Sequence, residues 1–421
     1  MSKYPGFQFP PETPLFPRHE YILQYQQDFV NRFHLSPHIL LNHTVVSTSW
    51  AGEPTNGMWH LRIRNHEGKI INRKFDHLVV ATGRYAYPYM PKWEGLDIWR
   101  SSSPTEGLPR SAIHSMWYRS AKTYENRTVV LVGTGASARG IAEEITSSAF
   151  KIYHSVRDIT RANKNAVVKP EISHFTATSA VFSDGTVCSD VDSVISATGY
   201  EPLFPFLDLG GVMRMDPGAH SNSTHNESTL VNNLKLIFPL YQHIVSLSPA
   251  YPVGALSFVG LPIRVTYRPL FIAQSLLIAH TIANASLLPP RAELLQDLAK
   301  EQDKIRHMGF DPYEVGHFLG PDGLDHQSDY QDALVEFLRA RGAVPKNGAG
   351  GKFVERWRRE LGTEYARMQR GWRRIEAMGQ EEVRKWIKGV SSEVGWVKVM
   401  KGVDEWQARW EAGQGNVAHV P

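Results

Sequence analysis

The spacing of hydrophobic residues changes several times along the chain, and each change predicts a different element. Apolar side chains recur at helical spacing over residues 19–33. The period changes over residues 43–80, where apolar and polar positions alternate around a turn at Glu67-Gly68 and predict a small antiparallel sheet that leads into a continuous apolar run from Asp76. Residues 269–285 are mostly apolar and predict a buried helix, and the chain from residue 293 onward has the pattern of more polar helices.

Two short apolar runs end in the same three residues, Ala-Thr-Gly. The first run leads into Ala81-Thr82-Gly83 and the second into Ala197-Thr198-Gly199. Continuous apolar runs of this length are typical of parallel strands that are buried on both faces. The repeat predicts two strands that each leave a cofactor-binding domain through a turn of small residues.

A third apolar run, Thr128–Val132, continues through a glycine turn into a helical pattern. The first glycine of such a turn allows a tight bend, the second lets the backbone approach a pyrophosphate, and a small residue three positions later allows close packing of helix on strand. The free amides at the start of the helix favour an anion. The predicted pyrophosphate site of a nicotinamide dinucleotide consists of Gly133, Thr134, Gly135, Ala136, Ser137 and Ala138.

The next strand, residues 149–156, indicates which nicotinamide cofactor is preferred. NAD-specific sites place an acidic residue at the end of this strand for the ribose 2′-hydroxyl, and none of residues 154–157 is acidic. Ser155 and Arg157 instead suit a 2′-phosphate. The pattern therefore predicts NADP rather than NAD. The alternative is that Arg157 is a surface arginine without a ligand.

Length and charge narrow the class of protein. A chain of 421 residues exceeds one ordinary core, so we expect two domains, or one domain interrupted by another. The formal net charge is only +4, and Lys and Arg are spread along the chain until they become dense, with Glu and Trp between them, near the C-terminus. This distribution argues against nucleic-acid binding and predicts solvated helices in that region.

The remaining segments carry little chemistry. The single cysteine, Cys188, excludes a disulfide framework and a thiolate metal site, and we expect it to be structural. No stretch approaches the roughly 18 apolar residues of a membrane span, and the first residues lack the apolar run of a signal peptide, so we expect a cytoplasmic protein without a transmembrane segment. Residues 206–237 predict a loop, and residues 342–351 predict a linker before C-terminal helices.

Several motifs stand in a characteristic order along the chain. They are Tyr4-Pro5-Gly6-Phe7-Gln8-Phe9-Pro10, the first Ala-Thr-Gly strand end, the glycine turn at Gly133, the second Ala-Thr-Gly, and Phe204-Pro205-Phe206-Leu207. In this order they resemble the flavin-containing monooxygenases, and the resemblance runs from residue 1 to about residue 345.

A family signature just before the glycine turn is kept in part. His114 and Tyr118 match its histidine and tyrosine, whereas Leu108 and Arg110 stand where the family has other residues. Relatives that carry out Baeyer-Villiger oxidation have tryptophan at the position of Tyr118. The tyrosine therefore favours oxygenation of nitrogen or sulfur, although the adjacent Trp117 keeps both outcomes open.

The resemblance implies an α/β flavoprotein fold with two dinucleotide-binding domains. Residues 1–110 would form the first part of an FAD-binding Rossmann-like domain and residues 206–345 its return segment. Residues 111–205 would form an inserted NADP-binding Rossmann-like domain, and residues 346–421 a C-terminal helical extension. Family members begin with a glycine-rich FAD unit and an active-site asparagine, neither of which this sequence contains, so we expect a truncated or degenerate FAD domain.

The resemblance also implies a function and a cofactor site. We expect FAD and NADPH as cofactors, O2 and a small substrate with an N, S or carbonyl group as reactants, and a flavin C4a-hydroperoxide as the oxygenating species. The residues expected to contact FAD are Val45 at the adenine, Ala81, Thr82 and Gly83 at the pyrophosphate, and Gly260 and Leu261 near the isoalloxazine; those expected on the NADP side include His114, Thr198 and Gly199.

Two other functions stay open at this point. One is a flavin reductase without oxygenase activity, and the other is a protein that binds NADP(H) or a partner chain without flavin chemistry. No catalytic side chain and no metal site is predicted, because in such enzymes the cofactor carries out the chemistry. Assembly into a homo-oligomer is left open.

Overall fold

The computed structural model describes residues 3–103, 109–221, 228–322, 326–345 and 351–413. The helices are α1 His19–Arg32, α2 Leu96–Ser101, α3 Ala136–Ile145, α4 Pro205–Asp208, α5 Tyr267–Ala283, α6 Arg291–His307, α7 Pro312–Val315, α8 Gln327–Ala340, α9 Arg356–Gly362, α10 Tyr365–Ala377, α11 Gln380–Ile387 and α12 Glu393–Glu411. The first ten strands are β1 Thr44–Glu53, β2 Asn56–Arg64, β3 Ile70–Phe75, β4 Leu78–Val80, β5 Tyr87–Pro88, β6 Ser111–His114, β7 Thr128–Val132, β8 Lys151–Ser155, β9 Val167–Lys169 and β10 Ile172–Phe175. The others are β11 Ala180–Phe182, β12 Val187–Cys188, β13 Ser193–Ser196, β14 Tyr200–Glu201, β15 Met213–Met215, β16 Leu230–Asn232, β17 Ile237–Phe238, β18 Leu240–Tyr241, β19 Val245–Ser246 and β20 Leu256–Phe258.

The chain divides into two compact units. The first contains Met1–Gly83 and Phe204–Pro421, and the second, inserted between these stretches, contains Arg84–Leu203. The inserted unit thus begins some residues before position 111, where the sequence places the start of the NADP-binding domain. The C-terminal helices belong to the first unit.

A five-stranded parallel sheet organises the inserted unit. Its strand order is β6-β13-β7-β8-β9. Val194 of β13 pairs with Ala112 of β6 on one side and with Val130 of β7 on the other. Helix α3 packs on this sheet through Ala138, Ile141, Ala142 and Ile145, which are all buried. The parallel strand and the helix predicted on either side of the glycine turn are therefore confirmed.

Residues before β6 join the inserted unit because their apolar side chains are buried in its second core. Trp99 of α2 is fully buried and packs with Phe175 of β10. Gly95 adopts a φ of +75°, and a Cβ there would lie 2.0 Å from the carbonyl oxygen of Phe175. This close approach fixes α2 to the small antiparallel sheet β10-β11-β12. Cys188 of β12 is buried in the same core, as expected for a structural cysteine.

Two sheets of the first unit contain the strands predicted over residues 43–80. The antiparallel sheet β1-β2-β3 confirms the prediction for residues 43–75, and Trp59 of β2 is fully buried with its indole N–H donating to the Ala255 carbonyl at 2.8 Å. The second sheet has the order β18-β19-β20-β4, in which β20 and β4 run parallel. The helix predicted over residues 19–33 is also present as α1.

The loop predicted for residues 206–237 is only partly correct. The described part contains α4 and the short strands β15, β16 and the start of β17, which form a three-stranded sheet. Each strand has two or three residues, too few to show an alternating pattern, and the pairing of β15 with β16 joins residues that are distant in sequence. Residues 222–227 lie outside the described part.

The C-terminal helices form one apolar cluster with polar outer faces. Trp372 of α10 is fully buried among residues of α9 to α12, and Leu15 from the start of the chain joins the same cluster. Arg367 forms two hydrogen bonds of 2.7 Å with the Asp404 carboxylate, and Arg370 pairs with Glu411. The helices predicted for this basic region are confirmed, and Arg367 and Arg370 are among its arginines that form ion pairs between helices. Part of the predicted linker, residues 346–350, lies outside the described residues.

Within the described residues, the longest apolar helices are too short or too polar to cross a membrane.

Candidate functional site

The glycine turn lies at the carboxyl end of β7, in the middle of the parallel sheet. Gly133 adopts a φ of +104°, and a Cβ at this position would lie 2.6 Å from the carbonyl oxygen of Ala197. Only glycine satisfies both conditions without displacing the backbone. Helix α3 starts three residues later, and Gly135, Ala136 and Ser137 are exposed. The first amides of this helix therefore face solvent without partners from their own helix, as an anion site requires.

The strand order places this turn at a switch point of the sheet. After β7 the chain continues on one side to β8 and β9, while β13 lies on the other side. In open parallel sheets, ligands bind in the crevice at the carboxyl ends of the strands where the order reverses in this way. The ends of β7 and β13 meet at this edge, which brings Gly133 together with Ala197, Thr198 and Gly199.

A buried histidine that the sequence pattern did not single out holds the glycine turn. His154 of β8 is 2% exposed, and its Nδ1 accepts a hydrogen bond of 2.9 Å from the Asn163 N–H. Since Nδ1 accepts, the ring proton is on Nε2, which donates to the Gly133 carbonyl at 2.7 Å. This hydrogen bond fixes the orientation of the peptide that follows Gly133. No local motif marks His154, because its partners become neighbours only when β7 and β8 pair.

The two residues predicted to recognise a 2′-phosphate differ in their accessibility. Ser155 is 1% exposed and its hydroxyl donates to the Pro170 carbonyl at 2.8 Å, so the side chain is directed into the unit and away from solvent. Arg157 is exposed, and its Nε donates to the Glu171 carboxylate at 2.7 Å. The Glu171 carboxylate raises the pKa of Arg157 above its ordinary value. Of the two side chains, only that of Arg157 is exposed, and its positive charge lies at the surface.

The second Ala-Thr-Gly turn is fixed by hydrogen bonds. The Thr198 hydroxyl donates to the Tyr89 carbonyl at 2.5 Å and lies 2.7 Å from the Ser196 hydroxyl. The Tyr89 N–H in turn donates to the Gly199 carbonyl. Gly199 has a φ of +91°, a conformation that other residues rarely adopt. The turn at the end of β13 is therefore held open beside the glycine turn of β7.

His114 ends β6 and is completely buried. Its Nδ1 accepts from the Met116 N–H at 3.1 Å, which places the proton on Nε2, and Nε2 has no hydrogen bond of ordinary geometry within the described residues. Burial lowers the pKa of His114, and the Gly199 carbonyl opposes this effect in part. His114 is thus a neutral donor directed toward the second Ala-Thr-Gly turn, with Tyr200 packed edge-on against its ring at 5.0 Å.

The other residues of the partial signature have structural partners. The Arg110 guanidinium donates to the carbonyls of Trp99, Ala177 and Thr178, which explains how an arginine is accommodated where relatives have a different residue. The Tyr118 hydroxyl donates to Glu144 at 2.9 Å, and burial is the main cause of the raised pKa of Tyr118. Leu108 lies outside the described residues.

The residues expected to contact FAD lie in the first unit. Val45 is half-buried in β1 next to a β-bulge. Ala81, Thr82 and Gly83 follow β4 and are exposed, and Gly83 has a φ of +73°. Because β4 and β20 are parallel, these residues leave the sheet at the same edge as Gly260, and the Val259 N–H donates to the Val80 carbonyl at 2.9 Å.

Gly260 is held closely by helix α5. A Cβ at Gly260 would lie 2.8 Å from the Phe271 ring, and the φ of Gly260 is +83°. Its N–H donates to the Gln274 Oε1 at 2.8 Å, and Leu261 beside it is 2% exposed. Within the described residues, β4 pairs with β20 on one side only.

These features define a class of protein. A parallel sheet with a glycine turn at its switch point, inserted into a unit with a second parallel pair and small-residue turns, is the arrangement of flavoproteins with two dinucleotide-binding domains. The profile of the flavin-binding monooxygenase-like family matches residues 1–166 and 160–314. The chain belongs to this family, whose members use FAD and NADPH, and the resemblance stated from the sequence is confirmed.

Individual relatives support the same assignment. The flavin-containing monooxygenases FMO GS-OX-like 8 and FMO GS-OX-like 9 of Arabidopsis thaliana are 28% and 30% identical to the chain. The matches cover 69% and 67% of this chain and 61% and 58% of those proteins. The chain thus spans less than two thirds of the length of these curated relatives.

Solved structures confirm the fold. The S-allyl-L-cysteine S-oxygenase from Allium sativum superposes with a TM-score of 0.66 at 24% identity, covering 95% of this chain and 81% of that one. Tmm from Pelagibacter sp. strain HTCC7211 gives a TM-score of 0.58 at 23% identity over 79% of this chain and 66% of that one. The α/β fold predicted from the sequence is confirmed by these two structures.

The hydrogen bond between His154 and the glycine turn generates a first prediction. His154→Phe keeps a ring of similar size but leaves the Gly133 carbonyl and the Asn163 N–H without this partner. We expect the Kd for NADPH to rise about 2- to 10-fold, the worth of one such hydrogen bond. The Kd for NADH should rise by the same factor, because the turn is predicted to contact the pyrophosphate that both nucleotides share. Isothermal titration of the full chain measures both constants.

The control for this variant is His174→Phe, which changes a partly exposed histidine of the same unit. It should leave both constants unchanged. A folded His154→Phe protein with the affinities of the unchanged chain would show that the turn does not depend on this histidine.

The exposed pair Arg157 and Glu171 generates a second prediction. Arg157→Ala should raise the Kd for NADPH about 10-fold, as loss of a hydrogen bond to a charged phosphate does, and change the Kd for NADH less than about 2-fold. Glu171→Gln should instead lower the Kd for NADPH about 2- to 3-fold, because an exposed carboxylate that competes for Arg157 is removed. Titration of both variants with both nucleotides gives the four constants. Equal losses of NADPH and NADH affinity in Arg157→Ala would contradict the 2′-phosphate assignment.

Proposed function

We propose that this chain is an FAD- and NADPH-dependent monooxygenase that uses O2 to oxygenate a small organic molecule at nitrogen, sulfur or a carbonyl group. The observation that carries this proposal is the presence of two separate sheet edges with open turns of small residues. One is the glycine turn at Gly133 in the inserted unit, and the other is formed by Ala81 to Gly83 with Gly260 in the first unit. Family membership supports assigning one dinucleotide to each edge.

In the inserted unit, backbone atoms bind most of the NADPH. The amides of residues 133–138 bind the pyrophosphate, and His154 holds them in place through the Gly133 carbonyl. Arg157 binds the 2′-phosphate after exchanging its contact with Glu171. Thr198 and Gly199 line the same crevice. The neutral ring of His114 supports the turn at Gly199, because its Nε2–H is directed toward the Gly199 carbonyl. Because Ser155 donates into the unit, we propose a structural role for its side chain.

In the first unit, Val45 borders the adenine of FAD, Ala81 to Gly83 border its pyrophosphate, and the turn at Gly260 and Leu261 borders the isoalloxazine. Bound FAD supplies the chemistry by passing electrons from NADPH to O2, from which one oxygen atom reaches the substrate. The protein residues bind, orient and exclude water, which explains why no nucleophile or paired acid and base was needed in the sequence. Gln274 keeps the Gly260 amide in place by accepting its hydrogen bond.

The substrate class follows from one residue of the partial signature. Tyr118 stands where relatives that oxidise ketones have tryptophan, so we propose a soft nitrogen or sulfur atom as the oxygenated group. The hydroxyl of Tyr118 is bound to Glu144, which fixes the ring in one position. A ketone is the competing substrate, since Trp117 is exposed next to it.

A second candidate function has its own supporting observation. Within the described residues the inserted unit has neighbours on both sides of its central strand β7, whereas β4 of the first unit is paired only with β20. A strand that is paired on one side only has fewer neighbouring residues that could contact a cofactor. The competing function is therefore NADP(H) binding without flavin chemistry.

The spectrum and the products of the purified chain separate these functions. We expect the full chain, mixed with FAD and freed of excess by gel filtration, to retain an absorption spectrum of bound flavin. Under 18O2 and with NADPH, it should convert methyl phenyl sulfide to a sulfoxide that contains one 18O atom, detected by mass spectrometry. The oxygen label is required because the proposal takes the transferred atom from O2.

Each other outcome contradicts a defined part of the proposal. A chain that binds NADPH but retains no FAD supports the NADP(H)-binding function. A chain that holds FAD and oxidises NADPH without forming a labelled product from methyl phenyl sulfide, N,N-dimethylaniline or cyclohexanone is a flavin reductase.

A further inference from the structure

The first unit contains a cavity of about 460 Å³ that none of the predicted cofactor residues lines. It lies between the strands β17 and β18 and the helices α6, α7 and α8. Most of its surface is apolar, with Leu298, Ile305, Met308, Phe318 and Leu319 among the residues that form it. A cavity of this volume is within the range of small-molecule sites, about 300 to 1,000 Å³.

A pair of histidines provides one oriented hydrogen-bond donor at this cavity. His317 is 1% exposed and its Nε2 accepts from the Ile237 N–H at 3.0 Å, so its proton is on Nδ1. The His317 Nδ1 lies 2.9 Å from the His243 Nδ1 and donates to it. The proton of His243 is therefore on Nε2, and within the described residues Nε2 has no hydrogen-bond partner. His243 lines the cavity.

The charge state of this donor is fixed by its surroundings. Both rings accept a hydrogen bond at one nitrogen, which excludes a doubly protonated ring in either residue. Burial also lowers the pKa of His243 to about 4, so the ring is neutral at physiological pH. A neutral N–H group donates to an acceptor atom of the ligand and does not stabilise a positive charge.

The backbone that presents His243 is held in an uncommon conformation. Gln242 and His243 have φ values of +52° and +56°, which is rare for two successive residues other than glycine. The Tyr330 hydroxyl donates to the Gln242 carbonyl at 2.5 Å and accepts from the Gln274 Nε2 at 3.0 Å. Strained backbone of this kind persists only where its surroundings hold it, and it concentrates at ligand sites.

The charged residues at the cavity wall already have partners. Lys304 pairs with Glu301 at 2.7 Å, and the Asp329 carboxylate accepts from Arg359 at 2.8 Å. His326 lies 2.9 Å from the Asp322 carboxylate. In the described part of the wall, each of these charged groups thus already has a partner, which favours an uncharged ligand.

We propose that this cavity binds a small uncharged organic molecule whose apolar body fills the space beside Leu298, Met308 and Phe318 and whose carbonyl, amide or sulfoxide oxygen accepts a hydrogen bond from the His243 Nε2–H. The site is separate from both predicted cofactor edges. Its test requires neither FAD nor NADPH, so it succeeds or fails independently of the proposed oxygenase function.

Three matched probes test the chemistry of the site. They are 4-fluoroacetophenone, which has an acceptor, 4-fluorotoluene, which has none, and 4-fluorobenzoate, which is charged. We expect 19F NMR titration of the full chain without cofactors to show that 4-fluoroacetophenone binds about 2- to 10-fold more tightly than 4-fluorotoluene, as one hydrogen bond predicts. The benzoate should not bind measurably, because its charge has no partner in the cavity.

Two variants assign this binding to the cavity. His243→Phe removes the donor and keeps a ring, so 4-fluoroacetophenone should lose its advantage while 4-fluorotoluene still binds. Ala333→Trp places a large side chain at the cavity wall and should weaken both probes. His66→Phe changes an exposed histidine and is the control, with all affinities unchanged.

Defined results would overturn the proposal. They are equal affinity of the intact chain for the two neutral probes, no binding of either, an advantage that survives in His243→Phe, or unchanged binding in Ala333→Trp. Circular dichroism checks the fold of each variant. If His243→Phe does not fold, the three probes and Ala333→Trp still decide the question.

Discussion

The contact between Gly133 and the carbonyl oxygen of Ala197 is the constraint on which the nucleotide site depends. Parallel pairing of β7 with β13 brings the ends of these strands so close that a side chain on Gly133 would lie 2.6 Å from that oxygen. The same residue needs a positive φ to start the turn. Sheet pairing thus selects glycine at this position, and glycine allows the first amides of α3 to face a phosphate.

Hydrogen bonds from neighbouring strands hold this turn in place. His154 on β8 reaches the Gly133 carbonyl from one side, and the Thr198 turn at the end of β13 lies on the other side. These contacts involve the ends of β7, β8 and β13 together with Tyr89, and all of these residues belong to the inserted unit. The inserted unit therefore contains within itself the groups proposed to bind a nicotinamide dinucleotide.

The parts of the site that sequence could predict are those with a local pattern. Strand, glycine turn and helix follow one another within residues 128–145, so the turn at Gly133 was predictable from spacing alone. His154 acts on a carbonyl 21 residues away, and His243 contacts His317 across 74 residues, so no local pattern marks either. Ser155 also shows that residue type alone does not give the direction of a side chain. The residue type suited a phosphate, but in β8 its hydroxyl donates to the Pro170 carbonyl. The short strands within residues 206–237 were missed because long-range pairing, and not alternation, forms them.

Titration of NADPH into Gly133→Ala and Gly140→Ala tests the central claim most directly. Both changes add one methyl group, at the turn in one case and in helix α3 in the other. A Cβ at Gly140 would meet no atom within 4 Å. We expect Gly133→Ala to remain folded and to lose NADPH affinity by about 10-fold or more, the worth of a hydrogen bond to a charged phosphate, while Gly140→Ala binds as the unchanged chain does. A folded Gly133→Ala protein that binds NADPH with unchanged affinity would contradict it.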